Sequence, residues 1–454
     1  MDSIEAVVWG QYCDWGTNKH PPLSGWLAYA FYTLGGGSAY GVYALSQICV
    51  LTGFAYLYRL SRFFFDREKA VVSVMLLEGV IYYGFSAPEF NVNVVSLALW
   101  PMTAYYAYRA LTENKLRDWL LLGFVAGLNL LNKYVGGFVL AALALAVLFE
   151  PSMRKRLRAV GPYLAALTAL VVIFPHVYWL YQHDFFVIDY FLGRGGQGAS
   201  LPFGLSHAVY PLKFLGAQIL FSAGTLLIYL YATNKAEKET DLMSPFQRRF
   251  VIWLGIVPFV LMFVFSVLTG MKLKSMWGFP VLYMLGIVLQ TFRPYKMSAR
   301  VFDRFQKGVY LLMILMAVAL ACIFTFNKSD KVHLDAALYG NRIEDLWRQQ
   351  NGDRPFKYVA GDVWWADNAA LYSPSRPKPV IWGDLSKNPW FDANDFARSG
   401  ALMIAAGVAE YKALAQTLGS TDEPEVMEIE LKNLIGQTKR KTLYYGFFSA
   451  EDNK

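Results

Sequence analysis

Charge is scarce in this chain. Only 17% of its 454 residues are Asp, Glu, Lys or Arg, against about a quarter in ordinary soluble domains. That scarcity argues against a soluble protein. Cysteine is rarer still: Cys13, Cys49 and Cys322 lie far apart with no Cys-x-x-Cys spacing, which excludes a zinc knuckle and a disulfide framework. Internal repeats and low-complexity tracts are missing. Their absence weighs against a transporter or lipid flippase, since many transporters are built from repeated halves with broken helices at the midplane. No signal peptide precedes the first residues.

What is there is apolar. Hydrophobic residues make up 56% of the chain, with 33 Phe, 29 Tyr and 13 Trp, and aromatic rings favour the membrane–water interface. The apolar residues fall in blocks of roughly 17–25, the length that crosses a bilayer as a helix. Spanning segments are expected at 38–60, 70–87, 92–110, 118–132, 135–150, 159–181, 207–232, 250–269, 276–292 and 308–326, about ten in all by the length rule. Leu23–Leu34 is amphipathic and short, and reads as an interfacial helix. The net charge of +8 does not indicate nucleic acid, because the basic residues sit in short loops between apolar blocks.

Those loops orient the chain. One alternating set carries Arg59, Arg62, Arg67 and Lys69; Arg109, Lys115 and Arg117; Arg154, Lys155, Arg156 and Arg158; Lys235, Lys238, Arg248 and Arg249; and Arg293, Lys296, Arg300, Arg304 and Lys307. The other set, before the C-terminal region, carries only Lys19, Lys133, Arg194, Lys213, Lys272 and Lys274. Basic loops stay in the cytoplasm. The 2–34 loop, the turn near 88–93, the 182–206 loop, the 271–275 turn and the C-terminus are therefore expected to face outward. An outward N-terminus with no helix before it suggests that a first transmembrane helix is missing; direct translocation of so short a tail is the alternative. From about Asn327 charges and prolines increase. An amphipathic helix is expected over Val332–Gln350 and strands over Phe356–Ala360, Pro379–Trp382, Ala401–Ala406 and Leu443–Phe448, with helical patterns between. The domains are thus a membrane domain over 1–326, with 1–37 as its first outward loop, and a soluble α/β domain over 327–454.

The outward loops hold the candidate chemistry. Asp2 and Glu5 are three apart and would share a helical face; the plain alternative is a solvated helix start, where acids are favoured. In Lys19-His20-Pro21-Pro22 the prolines fix the backbone and hold Lys19 and His20 near the membrane surface; the alternative is an interfacial snorkelling lysine. Lys272 and Lys274 sit in a tight outward turn against the positive-inside trend, where an anionic lipid phosphate is the natural partner; snorkelling is again the alternative. Arg194 lies in a glycine-rich outward loop suited to covering a substrate. Glu78 falls inside an apolar span, with a functional or a packing role equally open. Lys133-Tyr134 reads as an interfacial anchor. His176 and His183-Asp184 lack a third ligand of metal-binding spacing, so structural roles are favoured.

Taken together, Asp2-x-x-Glu5-Ala6, Trp9-Gly10-Gln11, Lys19-His20-Pro21-Pro22-Leu23, Trp26-Leu27, Phe90-Asn91-x-Asn93, Lys133-Tyr134, Pro175-His176 with Trp179 and His183, and Thr269-Gly270 through Trp277-Gly278-x-Pro280 resemble the polyprenyl-phosphate-sugar glycosyltransferases of the GT-C type. These include the protein O-mannosyltransferases, aminoarabinose transferases and lipopolysaccharide-core galacturonosyltransferases, and the likeness is nearest to the branch that modifies lipopolysaccharide. The resemblance implies a GT-C-like helical membrane protein of the bacterial inner membrane with a periplasmic C-terminal domain. It implies an inverting transfer from a polyprenyl phosphate, undecaprenyl phosphate by expectation, to a lipopolysaccharide, lipid A or other envelope acceptor. A protein O-glycosyltransferase is the alternative. Asp2 takes the place of the catalytic base and Lys19 that of a phosphate ligand. Glu5 and Glu89 are the further acids, Asn93 stands in the second outward turn, and a divalent metal between Asp2 and Glu89 is left open. His20, Arg194, Lys272 and Lys274 complete the candidate substrate contacts.

Overall fold

The computed structural model describes residues 1–196, 201, 204–240, 243–327, 329–384, 388, 391–433 and 435–448. The chain forms two compact units. One comprises Met1–Asn18, Ala28–Ala30 and Val318–Lys454, the other Lys19–Leu27 and Phe31–Ala317.

The larger unit is helical. Its first full-length helices are α3 (Ala39–Ser61), after α1 (Asp2–Gln11) and α2 (Leu23–Leu34), then α4 (Arg67–Met75), α5 (Val92–Glu113), α6 (Leu116–Asn132) and α7 (Gly136–Phe149). Ser38 starts α3 by accepting the Tyr40 N–H, and Asn114 ends α5 in a left-handed conformation (φ 53°). Helix α5 is buried along most of its length, with Trp100 fully enclosed. Glycine lets its neighbours approach closely, the usual device of membrane helix packing. A Cβ on Gly53 of α3 would lie 2.3 Å from the Leu97 carbonyl of α5. On α6, Gly123 and Gly127 face the helix Gly161–Gln182, where a Cβ would meet the Ala165 carbonyl at 2.2 Å and the Val172 side chain at 2.5 Å.

Four helices among the described residues are long and apolar enough to cross a membrane: Ala39–Ser61, Gly161–Gln182, Pro245–Thr269 and Ala299–Phe326. Two bent pairs, Gly136–Phe149 with Pro151–Arg158 and Ser206–Phe221 with Ala223–Thr233, raise the number to six if each is one span. Leu167, Leu170, Phe174 and Tyr178 on one of these helices, and Leu311, Ile314 and Leu315 on another, are exposed; such faces are stable only against lipid. The protein is a multi-pass membrane protein. Two expected spans are only partly helical. Over 70–87 the helix stops at Gly79, where a Cβ would strike the Thr225 backbone at 2.3 Å, and the Ile81 N–H instead donates to the Phe221 carbonyl (2.9 Å). Over 276–292 regular α-helix begins at Leu285, after Gly278 and Pro280.

The smaller unit is α/β. Its strands β1 (Tyr358–Gly361), β2 (Lys378–Ile381), β3 (Ala401–Ala405), β4 (Glu425–Lys432) and β5 (Thr438–Phe448) form one sheet in the order β2-β1-β3-β5-β4. β1 pairs in parallel with β2 and β3, and the β4–β5 hairpin adds antiparallel to β3. Strand alternation sends Val359, Leu402, Ile404 and Leu443 to one face, against Trp347 and Trp365, and Tyr358, Ala360 and Met403 to the other, against Tyr411 and Leu414. Four expected strands are present within two residues at their carboxyl ends. The segment Glu425–Lys432, expected to be helical, is a strand that buries Met427, Ile429 and Leu431. Helix α1, expected within the first loop of the membrane domain, packs Met1 and Ile4 against the Trp365 face of this sheet.

Candidate functional site

The N-terminal end of α5 and the C-terminal end of α6 lie together because the two helices run in opposite directions through a two-residue connection, Asn114-Lys115. Asn91 caps α5: its Oδ1 accepts from the Asn93 N–H (2.9 Å) and from Asn93 Nδ2 (2.9 Å). That bond turns Asn93 Oδ1 toward Lys133, at the end of α6, whose Nζ donates to it. One turn deeper, Asn132 Nδ2 donates to the Val92 carbonyl (2.9 Å) and Ser96 Oγ (3.0 Å), and Asn129 Nδ2 to Thr103 Oγ1 (2.8 Å). Tyr134, next in the chain, shares a hydrogen bond with His176 Nε2 (2.9 Å). His183 Nδ1 donates to the Trp179 carbonyl (2.9 Å), and the Trp179 and His183 rings stack at 4.2 Å. Lys133, Asn93 and His176 are all buried. Lys133 itself caps the C-terminus of α6, but its ammonium reaches the first turn of α5, and a buried ammonium beside a helix N-terminus favours an anion.

The turn after Thr269 is fixed with similar care. Gly270 is left-handed (φ 65°), and a Cβ there would approach His207 Nε2 to 2.9 Å. His207 Nδ1 donates to the Val267 carbonyl (2.6 Å) and Ser266 Oγ to that of Met271 (2.7 Å). The Ser275 carbonyl accepts from Tyr82 (2.7 Å) and Gln218 Nε2 (3.0 Å). Between these anchors Leu273 points inward, which leaves Lys272 and Lys274 half-exposed on either side. Among the described residues Lys272 makes no ion pair.

The other candidates are placed as follows. Pro21 and Pro22 are buried and lead into α2, so Lys19 and His20 are half-buried on a fixed backbone. Asp2 is exposed in the first turn of α1, whereas Glu5 is buried on it. Glu89 is exposed, and its carbonyl accepts from Asn91 Nδ2 (3.2 Å). Arg194 lies in the helix Phe186–Gly196, but its side chain is outside the described residues. Among the described residues no three His, Cys, Asp or Glu side chains gather as metal ligands. The structure therefore brings Asn93 together with Lys133, and Tyr134 with His176. The sequence reading treated Lys133 and Tyr134 as an anchor and His176 as structural. Their recurrence within the shared pattern was the signal for a closer role.

Residues 19–179 match the family described as dolichyl-phosphate-mannose-protein mannosyltransferase. The solved structure of ArnT from Cupriavidus metallidurans in the apo state superposes with a TM-score of 0.64 at 13% identity, covering 98% of this chain and 93% of that one. The chain is a glycosyltransferase with a GT-C-like fold. The transferase also resembles ArnT from the same organism bound to undecaprenyl phosphate (TM-score 0.60, 13% identity, 98% and 93% covered). By sequence it is 24% identical to the lipopolysaccharide core galacturonosyltransferase RgtB of Rhizobium johnstonii, over 96% of this chain and 90% of that protein. It is 29% identical to the lipid A galacturonosyltransferase RgtD of the same organism, over 40% and 39%.

Proposed function

We propose that the transferase moves a sugar from a polyprenyl phosphate, undecaprenyl phosphate in a bacterial inner membrane, to a lipopolysaccharide or lipid A acceptor on the periplasmic side. The carrying observation is the Asn93–Lys133 arrangement, a buried cation with an amide beside a helix N-terminus, which suits a lipid-linked phosphate. Near-full-length similarity to a glycolipid transferase favours a glycolipid over the protein acceptor that the family's description names.

In this mechanism the Asp2 carboxylate accepts the proton of the acceptor hydroxyl. The acceptor oxygen bonds to the anomeric carbon, the bond from that carbon to the phosphate oxygen breaks, and its electron pair leaves with the polyprenyl phosphate. Attack opposite the leaving group inverts the anomeric centre. Lys19, Lys272 and Lys274, with Lys133, offset the charge that develops on the phosphate; His20, Arg194 and Asn93 contact the substrates. Glu5 and Glu89 are the further acids, and if a divalent ion takes part, Asp2 and Glu89 hold it.

The test is a transfer assay with the full chain in lipid nanodiscs, polyprenyl-phosphate-linked radiolabelled sugars, and either a lipid A–core acceptor or a Ser/Thr-rich peptide. Label entering the glycolipid supports the reading. Label entering only the peptide moves the acceptor to protein, and release of no polyprenyl phosphate from any donor refutes the donor chemistry.

A further inference from the structure

The sheet of the smaller unit changes the side on which its helices leave between β1 and β3. After β1 the chain enters the helix Val363–Tyr372, which packs with Val359, Leu402 and Ile404. After β3 it enters the helix Val408–Leu418, whose Tyr411 and Leu414 pack on the opposite face with Tyr358, Ala360 and Met403. Two parallel neighbours whose helices diverge leave a crevice beyond their carboxyl ends, the usual ligand position in open α/β sheets.

The side chains at this edge are of two kinds. Trp382 follows β2, and its N–H donates to the Gly361 carbonyl (2.8 Å), which fixes it beside the end of β1. Its backbone is left-handed (φ 56°), uncommon for so bulky a residue, and the residue is 54% exposed. Val408, opening the helix after β3, is also exposed. Two of the polar groups are carboxylates, with Lys331 within electrostatic reach of one of them. Asp362 directly follows Gly361, and Glu410 lies in the first turn of the Val408–Leu418 helix, exposed. Burial, opposed by the Trp365 N–H and reinforced by the charge of Glu410, raises the Asp362 pKa, and Lys331 acts against the rise.

We propose that this crevice is a saccharide-binding site of the α/β unit, in which a pyranose ring lays its C–H face on Trp382 and donates hydroxyl hydrogen bonds to Glu410 and Asp362. The face of an indole is negative and attracts C–H groups. Ionised carboxylates only accept hydrogen bonds, and sugar hydroxyls supply donors. Two carboxylates repel a uronate or a phosphate, so the occupant is a ring without an acidic group. This binding does not depend on the transfer reaction.

Saturation-transfer NMR on the full chain in nanodiscs, with methyl hexopyranosides and the matching methyl hexuronoside as probes and no donor present, tests the site. The expected result is saturation of ring C–H protons in the neutral hexosides, with the uronoside bound about tenfold more weakly, a difference of about 1.4 kcal/mol. Trp382→Ala should weaken hexoside binding about tenfold or more with an unchanged melting temperature, since the residue is half-exposed, and Trp382→Phe should retain most of it. Asp2→Asn, which stops transfer by the proposed mechanism, should leave this binding intact. The proposal is overturned if neutral hexosides show no saturation in the unaltered protein, if Trp382→Ala binds them equally well, or if the uronoside binds as tightly.

Discussion

Lys133 is a lysine enclosed by protein at the end of a membrane helix, held there by Asn93. In the proposed mechanism its ammonium helps to offset the charge that develops on the donor phosphate. Lys133→Met should lower kcat/KM for transfer by about 10²–10³-fold, the usual loss when one electrostatic stabiliser is removed. The melting temperature should hold, because a methionine fills the same space without a charge. A loss of activity that merely tracks a fall in melting temperature would make Lys133 a packing residue. Asp362 gives a second prediction at this scale. Its carboxyl pKa is raised in the fold, chiefly by burial, so the folded chain holds that proton more tightly than the unfolded one. Its contribution to stability is therefore present below the unfolded value, about 3.9, and declines as pH rises through the folded value. Asp362→Asn keeps the N-cap acceptor for the Trp365 N–H and removes the charge. The variant should melt at a higher temperature than its parent at pH 7, with the gain vanishing below about pH 4; a gain that persists in acid would contradict the assignment. The loop candidates stand out in sequence because charge there runs against the expected topology. Lys133 was less so, since its burial depends on α5, forty residues earlier in the chain.

At the scale of elements, packing rests on glycine. Gly123 and Gly127 let α6 lie against the helix Gly161–Gln182 with the Ala165 carbonyl in van der Waals contact. Gly123→Leu would drive a side chain into that carbonyl. It should destabilise the protein by about 1–3 kcal/mol, the range for overpacking, read as a lower melting temperature in detergent or lipid. Leu120→Ala, at an exposed position of the same helix, should have little effect. Gly278 belongs to the same class: a Cβ would lie 2.3 Å from Gln218, one of the two donors that hold the Ser275 carbonyl. Gly278→Val should displace the Lys272–Lys274 turn and raise KM for the lipid-phosphate donor about tenfold, more than it changes kcat; the opposite pattern would place the turn outside the donor contacts. The long apolar helices were readable because twenty apolar residues have few other solutions. The breaks at Gly79 and before Leu285 were not, since they depend on which backbone lies opposite. β1, β2 and β5 announced themselves through β-branched or aromatic residues and β3 as a short apolar run. β4 alternates Glu428 and Glu430 with Met427, Ile429 and Leu431; the period of two was present, but glutamate favours helix and masked it. As an edge strand β4 can carry these charges on its solvent face.

At the scale of the molecule, composition and charge placement settled the class before any residue was assigned a role. An apolar chain with basic loops on alternate sides reads as a multi-pass membrane protein, and the exposed leucine faces of Gly161–Gln182 and Ala299–Phe326 show where lipid must lie. The assignment of α1 to the α/β unit could not be read from order along the chain, because the apolar surface it covers lies more than three hundred residues later. The acceptor belongs to this scale as well, and the most direct measurement is mass spectrometry of envelope glycolipids. Cells carrying the gene, a deletion, and the Asp2→Asn variant at matched expression would be compared. The account predicts the loss of a single hexose- or uronic-acid-sized unit from lipopolysaccharide or lipid A in both the deletion and the variant, with the mass identifying the sugar. Glycolipids unchanged by the deletion would contradict a glycolipid acceptor, and an intact product with Asp2→Asn alone would remove Asp2 as the base.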